Sequence, residues 1–345
     1  MNHKGVFLRG SSLICAQGQS RPQQPFILPD APAAPVWRDV HILGQTYRLP
    51  YFAAFAAELM SAQDLFEQLA QQIEQAVADA GLAATELARM PIIIGSGSYM
   101  MAECERFNGR LPHHTLDGAA DFLRCRFQNH QVFALATSCT ASAQAIVQAA
   151  RLLAGGRYPY AVAAGVESFN RLTVSHFHAM HLLAHTPPYR PFAESSGMML
   201  GEGAAALLLS AQADEADCCL YGFYTDTDHA ELTTPSAPAL RRLIRGCLNA
   251  ARLSAADIHT VKIHAVGGLS DQMECEVLAE LLPDAVPLIF KHHTGHTLGA
   301  AGTLETALLA QHLRAQPSTY GRCLNYFLGF GGSHAAWITE SRHDC

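Results

Sequence analysis

Charge is scarce in this chain. Asp, Glu, Lys and Arg make up 15% of its 345 residues, against 49% hydrophobic ones, which implies much buried surface, internal or against a partner. Basic runs are missing and the formal net charge is −7. That excludes general nucleic-acid binding and leaves an acidic partner only a local basic patch to dock on. No apolar stretch approaches the roughly 20 residues that span a bilayer. The opening Met1-Asn2-His3-Lys4-Gly5-Val6 lacks the apolar core of a signal peptide, so the expected compartment is the cytoplasm. The ten cysteines are scattered and no C-x-x-C pair occurs. They are therefore expected to be reduced, with neither a disulfide framework nor a zinc ribbon. G-x-x-x-x-G-K-[ST] is absent, and Gly95-Ser96-Gly97 lacks the third glycine of a dinucleotide turn, so no nucleotide site is expected.

What the chain does contain is an alternation of buried strands and helices. Residues 5–15 form a first strand with a break, and residues 20–37, with five prolines, form an irregular excursion. Leu65, Leu69, Ile73, Ala76, Val77 and Ala80 keep helical spacing up to Gly81. Pro91-Ile92-Ile93-Ile94 and Tyr160-Ala161-Val162-Ala163-Ala164 are continuous apolar runs of the kind a sheet covered on both faces requires. Residues 197–210 give a loop and a strand, and an acidic segment at 211–219 forms a crossover. A second series then begins at Leu220, with helices near 238–253, 271–282 and 302–315 and strands near 260–265, 286–290 and 334–340. The class is α/β with parallel sheet, and the length admits two core-bearing units or one layered domain.

Three reactive side chains fall at strand ends, where α/β sheets collect their chemistry. Cys139 follows Val132-Phe133-Ala134-Leu135-Ala136 and precedes an alanine-rich helix. The positive end of that helix is expected to favour its thiolate. His264 ends Thr260-Val261-Lys262-Ile263, and His296 lies in a strand–glycine turn–helix run behind Pro287-Leu288-Ile289-Phe290. A cysteine and two histidines suit acyl transfer through a thioester: one nucleophile, and two N–H donors for an enolate oxygen. His178, His181 and His185, three and four residues apart, could share a helix face, but no carboxylate completes a metal set, so packing is the expected role.

The motifs Thr137-Ser138-Cys139-Thr140-Ala141-Ser142, Arg190-Pro191-Phe192, Leu200-Gly201-Glu202-Gly203, Ile263-His264, Lys291-His292-His293-Thr294-Gly295-His296-Thr297-Leu298-Gly299-Ala300-Ala301-Gly302 and Gly329-Phe330-Gly331-Gly332 occur in that order. On them, the chain resembles a β-ketoacyl-acyl carrier protein synthase of the thiolase-like superfamily, over about residues 130–340. The resemblance implies two βαβαβ-type halves packed as five alternating α/β layers, with residues 1–210 carrying the nucleophile and 211–345 the histidines. Cys139 would accept the acyl chain, the backbone N–H groups of Cys139 and Phe330 would form the oxyanion hole, and His264 and His296 would hold the malonyl thioester carbonyl. Lys291 and Glu305 would belong to a supporting polar network. No resident cofactor is implied; phosphopantetheine arrives on acyl carrier protein.

The chain also departs from the family. His264-Ala265-Val266-Gly267-Gly268 replaces the usual His-Gly-Thr-Gly-Thr, whose threonines hydrogen-bond pantetheine, and Asp271 and Glu274 sit one residue nearer the histidine. Met198 stands where a gating phenylalanine is usual, Asn325–Phe330 carries an extra residue, and the chain is shorter than typical members. These departures favour an auxiliary role: a chain-length-factor partner of a full-length ketosynthase, in a heterodimer serving a type II fatty-acid or polyketide system. The retained Cys139, His264 and His296 favour the alternative, a catalytically active homodimer. A thiolase proper is not expected, because no second cysteine lies in a Cys-x-Gly setting near the C-terminus.

Overall fold

The long apolar runs become the central strands of one mixed sheet. The computed structural model describes residues 5–42, 44–107, 109, 117–194, 196–213, 218–230, 232–317 and 319–341. In the first half these form β1 (Val6–Cys15), the short β2 (Gly18–Gln19), β3 (Val36–Ile42), β4 (Gln45–Tyr51), α1 (Ala62–Asp79), β5 (Ile92–Gly95), α2 (Met101–Arg106), α3 (Gly118–Phe127), β6 (Val132–Leu135), α4 (Ala141–Ala154), β7 (Tyr160–Glu167), α5 (Arg171–Ala179) and β8 (Gly203–Ser210). The second half contains β9 (Cys218–Thr227), α6 (Ala237–Ala251), β10 (Thr260–Lys262), α7 (Ser270–Leu281), β11 (Val286–Leu288), α8 (Lys291–Thr294), α9 (Ala301–Ala315), β12 (Cys323–Leu328) and β13 (Ser333–Ser341).

The strand order is β11-β10-β12-β13-β9-β1-β8-β7-β5-β6, with β2 paired off β1. The seam between halves is short: Val6, Phe7 and Leu8 pair antiparallel with Leu220, Cys219 and Cys218. The expected break in β1 is a register shift between Leu8 and Gly10. Gly10 is required there, because a Cβ would lie 2.3 Å from the Ala76 carbonyl oxygen of α1.

Three apolar cores separate the layers. Leu65, Leu69 and Ile73 of α1 and Leu123 of α3 pack on Ile92, Ile94 and Leu208. Ile146 and Leu153 of α4, with Leu304 and Leu308 of α9, fill the space between Leu207 on one side and Phe327 and Trp337 on the other. Leu240 and Ile244 of α6 and Val277 of α7 cover Val261, Tyr326 and Ile338. Helices, sheet, helices, sheet, helices: five layers result, as the resemblance implies. The central pair positions the site, because α4 begins just after Cys139 and α9 just after His296. Their crossing is closer than side chains allow; a Cβ on Gly302 would meet the Ala143 nitrogen at 2.1 Å.

Some elements carry no signal in the sequence reading. The β3–β4 hairpin arises within and after the proline-rich excursion, with Val36 opposite Tyr51. The strand β12 is fully buried, yet its Asn325 breaks the apolar pattern; that amide is satisfied by the Cys323 carbonyl and Thr339 Oγ1. The acidic stretch at 214–217 lies outside the described residues. Cys219 is disulfide-bonded, a departure from the expectation that every cysteine is reduced. No helix among the described residues is long and apolar enough to cross a membrane.

Candidate active site

Cys139 sits where β6 turns into α4. Ser138 adopts a left-handed φ of 56°, and Thr140 ties the turn by donating its hydroxyl to the Thr137 carbonyl at 2.8 Å. The sulfur is buried, with the residue 3% exposed. Burial pushes its thiol up to about 11, against the opposing effects of the Ser138 hydroxyl and the Phe330 backbone N–H, both of which hydrogen-bond to the sulfur. The expected thiolate is therefore corrected to a thiol: desolvation outweighs the helix terminus. The thiol's alkylation by iodoacetamide, followed on the Cys139 peptide by mass, is expected to rise about tenfold per pH unit up to pH 10, since the thiolate fraction does so below the pKa. A plateau near pH 7 would restore the thiolate.

His264 follows β10 in a turn, Ala265-Val266-Gly267-Gly268, that carries no side-chain hydroxyl yet is tightly held. Glu274 accepts the backbone N–H groups of His264 at 3.1 Å and Ala265 at 3.1 Å, as well as the Tyr326 hydroxyl. Asp271 accepts those of Val266 and Gly267, both at 2.9 Å, and that of Phe192 at 2.6 Å. The two carboxylates of α7 thus cage the turn, with Ala265 at φ 20° and Gly267 at φ 83°.

His296 is clamped through its backbone, donating to the Met199 carbonyl at 2.7 Å and accepting from Gly201 N–H at 3.0 Å. Its ring stands 5.3 Å from that of His264, centroid to centroid, at 87°. Both imidazoles are held well below the usual histidine range, first by burial and then by the positive charge of Lys291, so both are neutral. A neutral imidazole offers one N–H donor.

Cys139, His264, His296, Met198, Leu183 and Phe330 line one cavity of about 480 Å³. A larger hollow of about 850 Å³ beside β11 contains none of the three reactive side chains. Phe330 is stacked on Phe177 at 5.5 Å. Met198 lies in the wall, where Gly197 N–H donates to the Gly267 carbonyl at 2.8 Å.

Behind the histidines lies a buried ion cluster. Glu305 receives Lys291 Nζ at 2.6 Å on one oxygen and Lys262 Nζ at 2.7 Å on the other. Two charged residues here escaped the sequence reading. Lys262 looked like an ordinary strand residue. Glu167, at the end of β7, accepts Ser96 Oγ at 2.6 Å and Ser98 Oγ at 2.5 Å and holds the Gly97 turn against the Cys139 loop. A carboxylate ending a wholly apolar strand was the available signal. The histidines at 178, 181 and 185 do not share a helix face, because α5 stops at Ala179. The His178 ring instead packs on Tyr47 and His185, while His181 lines the cavity.

Two family descriptions match the chain: the β-ketoacyl synthase N-terminal domain over residues 50–215 and the C-terminal domain over 216–319. The 3-oxoacyl-[acyl-carrier-protein] synthase 2 of Rhizobium meliloti is 30% identical over 211 residues, covering 55% of this chain and 49% of that protein. The chain thus matches about half the length of this curated relative. Among solved structures, a ketosynthase (ApeO) in complex with its chain length factor (ApeC) from Xenorhabdus doucetiae aligns with a TM-score of 0.78, 20% identity and 98% coverage of both chains. A type II polyketide acyl-carrier protein in complex with its ketosynthase (AntDE:AntF) aligns with a TM-score of 0.80 at 16% identity, covering 99% of this chain and 100% of that one. At such identities the likeness shows the fold, which is thiolase-like. Matched in both domains in sequence order, the chain belongs to the β-ketoacyl synthase family.

Proposed function

We propose that this chain is a condensing ketosynthase whose Cys139 carries the growing acyl group. The observation that carries the reading is the convergence of Cys139, His264, His296 and the backbone at Phe330 on one cavity. In the first step the Cys139 sulfur attacks an acyl thioester delivered on phosphopantetheine by acyl carrier protein. The carbon–sulfur bond to pantetheine breaks, and the thiol proton goes to the departing pantetheine sulfur. The backbone N–H groups of Cys139 and Phe330 stabilise the tetrahedral oxyanion. In the second step a malonyl thioester loses carbon dioxide, and the electron pair of the broken carbon–carbon bond becomes an enolate. The N–H donors of His264 and His296 hold its oxygen. The enolate carbon then attacks the acyl-cysteine; the acyl carbon–sulfur bond breaks, giving a 3-oxoacyl product, and the released Cys139 thiolate takes up a proton from water to return to the thiol.

Neutral imidazoles support this role, since each keeps a proton to donate without itself carrying charge. The anchored turn supports it too: Ala265-Val266-Gly267 has lost pantetheine-binding hydroxyls, but Glu274 and Asp271 still seat His264. The expected result is an acyl adduct on Cys139 when the isolated protein is incubated with acyl-loaded carrier protein, seen by intact mass and absent in Cys139→Ala.

The second reading is the chain-length-factor partner of a full-length ketosynthase, in the cytoplasm. It is favoured by the hydroxyl-free turn after His264 and by the pairing named for the Xenorhabdus neighbour. It makes the opposite prediction: no adduct on the isolated chain, and condensation only when a full-length ketosynthase is added, with Cys139→Ala as active as the parent.

A further inference from the structure

The buried cluster behind the histidines does not balance its charges. Lys262 and Lys291 are 0% and 1% exposed at the side chain, and Glu305 is 1% exposed. Both carboxylate oxygens are committed, one to each ammonium. Among the described residues no other carboxylate makes an ion pair with either lysine. In direct contact, two positive charges share one negative where water does not screen them; the buried carboxylates of α7, Glu274 and Asp271, face the same histidine turn, and Lys291 favours the ionised form of Glu274. The remaining contacts of Lys262 fit a charged ammonium: its Nζ donates to the Tyr326 carbonyl at 2.9 Å and sits 3.4 Å from the centroid of the Phe327 ring, whose face attracts cations.

Lys262 also has the right place in the chain. It is the last residue of β10, and His264 is two residues further on, so in extended backbone both side chains leave on the same side. Lys291 opens α8, and His296 follows that helix after the Gly295 turn. Both lysines lie close enough to act electrostatically on both imidazoles.

We propose that Lys262 is a positioning residue of the condensing site: by sharing Glu305 with Lys291, it adds a second buried positive charge that acts on His264 and His296, offsets the carboxylates of α7 and thereby favours the anionic enolate that these imidazoles hold. This rests on the condensing reading above. It goes beyond that reading because a lysine–glutamate pair alone is neutral, and the second lysine turns a structural pair into a source of field. Lys262 acts on both imidazoles, whereas at Cys139 the lysine charge felt is that of Lys291, so the contribution of Lys262 falls on the decarboxylation rather than on the acyl transfer. The same field accounts for part of the histidines' neutrality, since both are held low by Lys291 and Lys262 in addition to burial.

The groups facing Lys262 define its titration. Glu305 comes from α9, Lys291 from α8, and Cys323 and the Tyr326 carbonyl from β12. Burial pulls its ammonium down to about 8, Glu305 opposes this and Lys291 reinforces it. Cys323, pushed up to about 12 by its own burial, stays neutral throughout. The charge that Lys262 adds is thus present below about pH 8 and disappears above it.

Two measurements on the whole chain test this. Malonyl-carrier-protein decarboxylation by the parent is expected to fall as pH rises through about 8. Lys262→Met should lower it about tenfold at pH 7 and lose that alkaline limb, with acylation of Cys139 unchanged. Independently of any turnover, histidine-selective nitrogen-15 spectra, assigned with His264→Ala and His296→Ala, should show the two imidazoles taking up protons at higher pH in Lys262→Met. Lys262→Gln, equally uncharged but able to donate to the Tyr326 carbonyl that Lys262 now contacts, should move them the same way and serves if Lys262→Met does not fold. Imidazole titrations that stay in place in the folded variants overturn the proposal. If the parent decarboxylates nothing while the titrations move as expected, the charge stands and the condensing reading falls.

Discussion

Glu305→Leu is expected to cost about 3–5 kcal/mol of folding stability, because it leaves two buried ammonium groups without their carboxylate. Lys262 and Lys291 both end on this one side chain, at 2.7 and 2.6 Å. Leucine fills similar space but accepts no hydrogen bond, so the lysines must lose their protons or draw water into a core layer between the half-sheets. A whole domain has a stability of about 5–15 kcal/mol, so the urea midpoint should drop by a large fraction. The decisive comparison is with the triple replacement Lys262→Met, Glu305→Leu, Lys291→Met. Removing all three charges together removes the desolvation cost as well, and such apolar replacements are often neutral. The triple variant should therefore regain most of the lost stability while losing any condensing activity. If the single variant unfolds at the parent's midpoint, the cluster is not the buried ion network that its geometry describes.

Glu274→Leu should be comparably severe, and its damage should reach His264 directly. Its carboxylate accepts the N–H groups of His264 and Ala265 and the hydroxyl of Tyr326, and all of these are buried. An orphaned buried donor costs about 1–3 kcal/mol, so three amount to roughly 3–9 kcal/mol, reduced by whatever the turn gains by relaxing. Glu274→Gln should be mild by comparison. Burial, reinforced by Asp271, pushes the Glu274 carboxyl up to about 7, so a neutral side chain with one acceptor oxygen is close to what the site holds near neutral pH. The check is a denaturation midpoint for each variant, together with the His264 imidazole resonance, which should broaden or split in Glu274→Leu once the turn is released. Equal midpoints for the Leu and Gln variants would show that the N–H groups find other partners.

The same turn shows what a departure read from sequence leaves open. The missing threonines after His264 speak of pantetheine hydrogen bonds, not of how the turn itself is held. Asp271 and Glu274 were visible, with their altered spacing, but nothing in a linear spacing says that carboxylates on α7 reach back to four successive backbone N–H groups. The alternation of apolar runs placed most strands and long helices within a residue or two. It missed β12, where a buried asparagine interrupts the pattern, and the hairpin β3–β4, whose outward face is mostly polar and exposed.

What the sequence determined by itself was local: strand, small-residue turn, helix, at Cys139 and again at His296. Such turns need small residues and glycine at fixed offsets, so they are written in consecutive letters. The tertiary structure alone decided the charges. Lys262 and Glu305 lie 43 residues apart, and only packing α9 beneath β10 brings them together and removes their water. Burial likewise decided the state of Cys139: the helix terminus favours its thiolate, but enclosure in the cavity wall raises the thiol to about 11. Dipoles follow from local conformation, whereas desolvation follows from everything that surrounds a group, and at Cys139 desolvation is the larger effect.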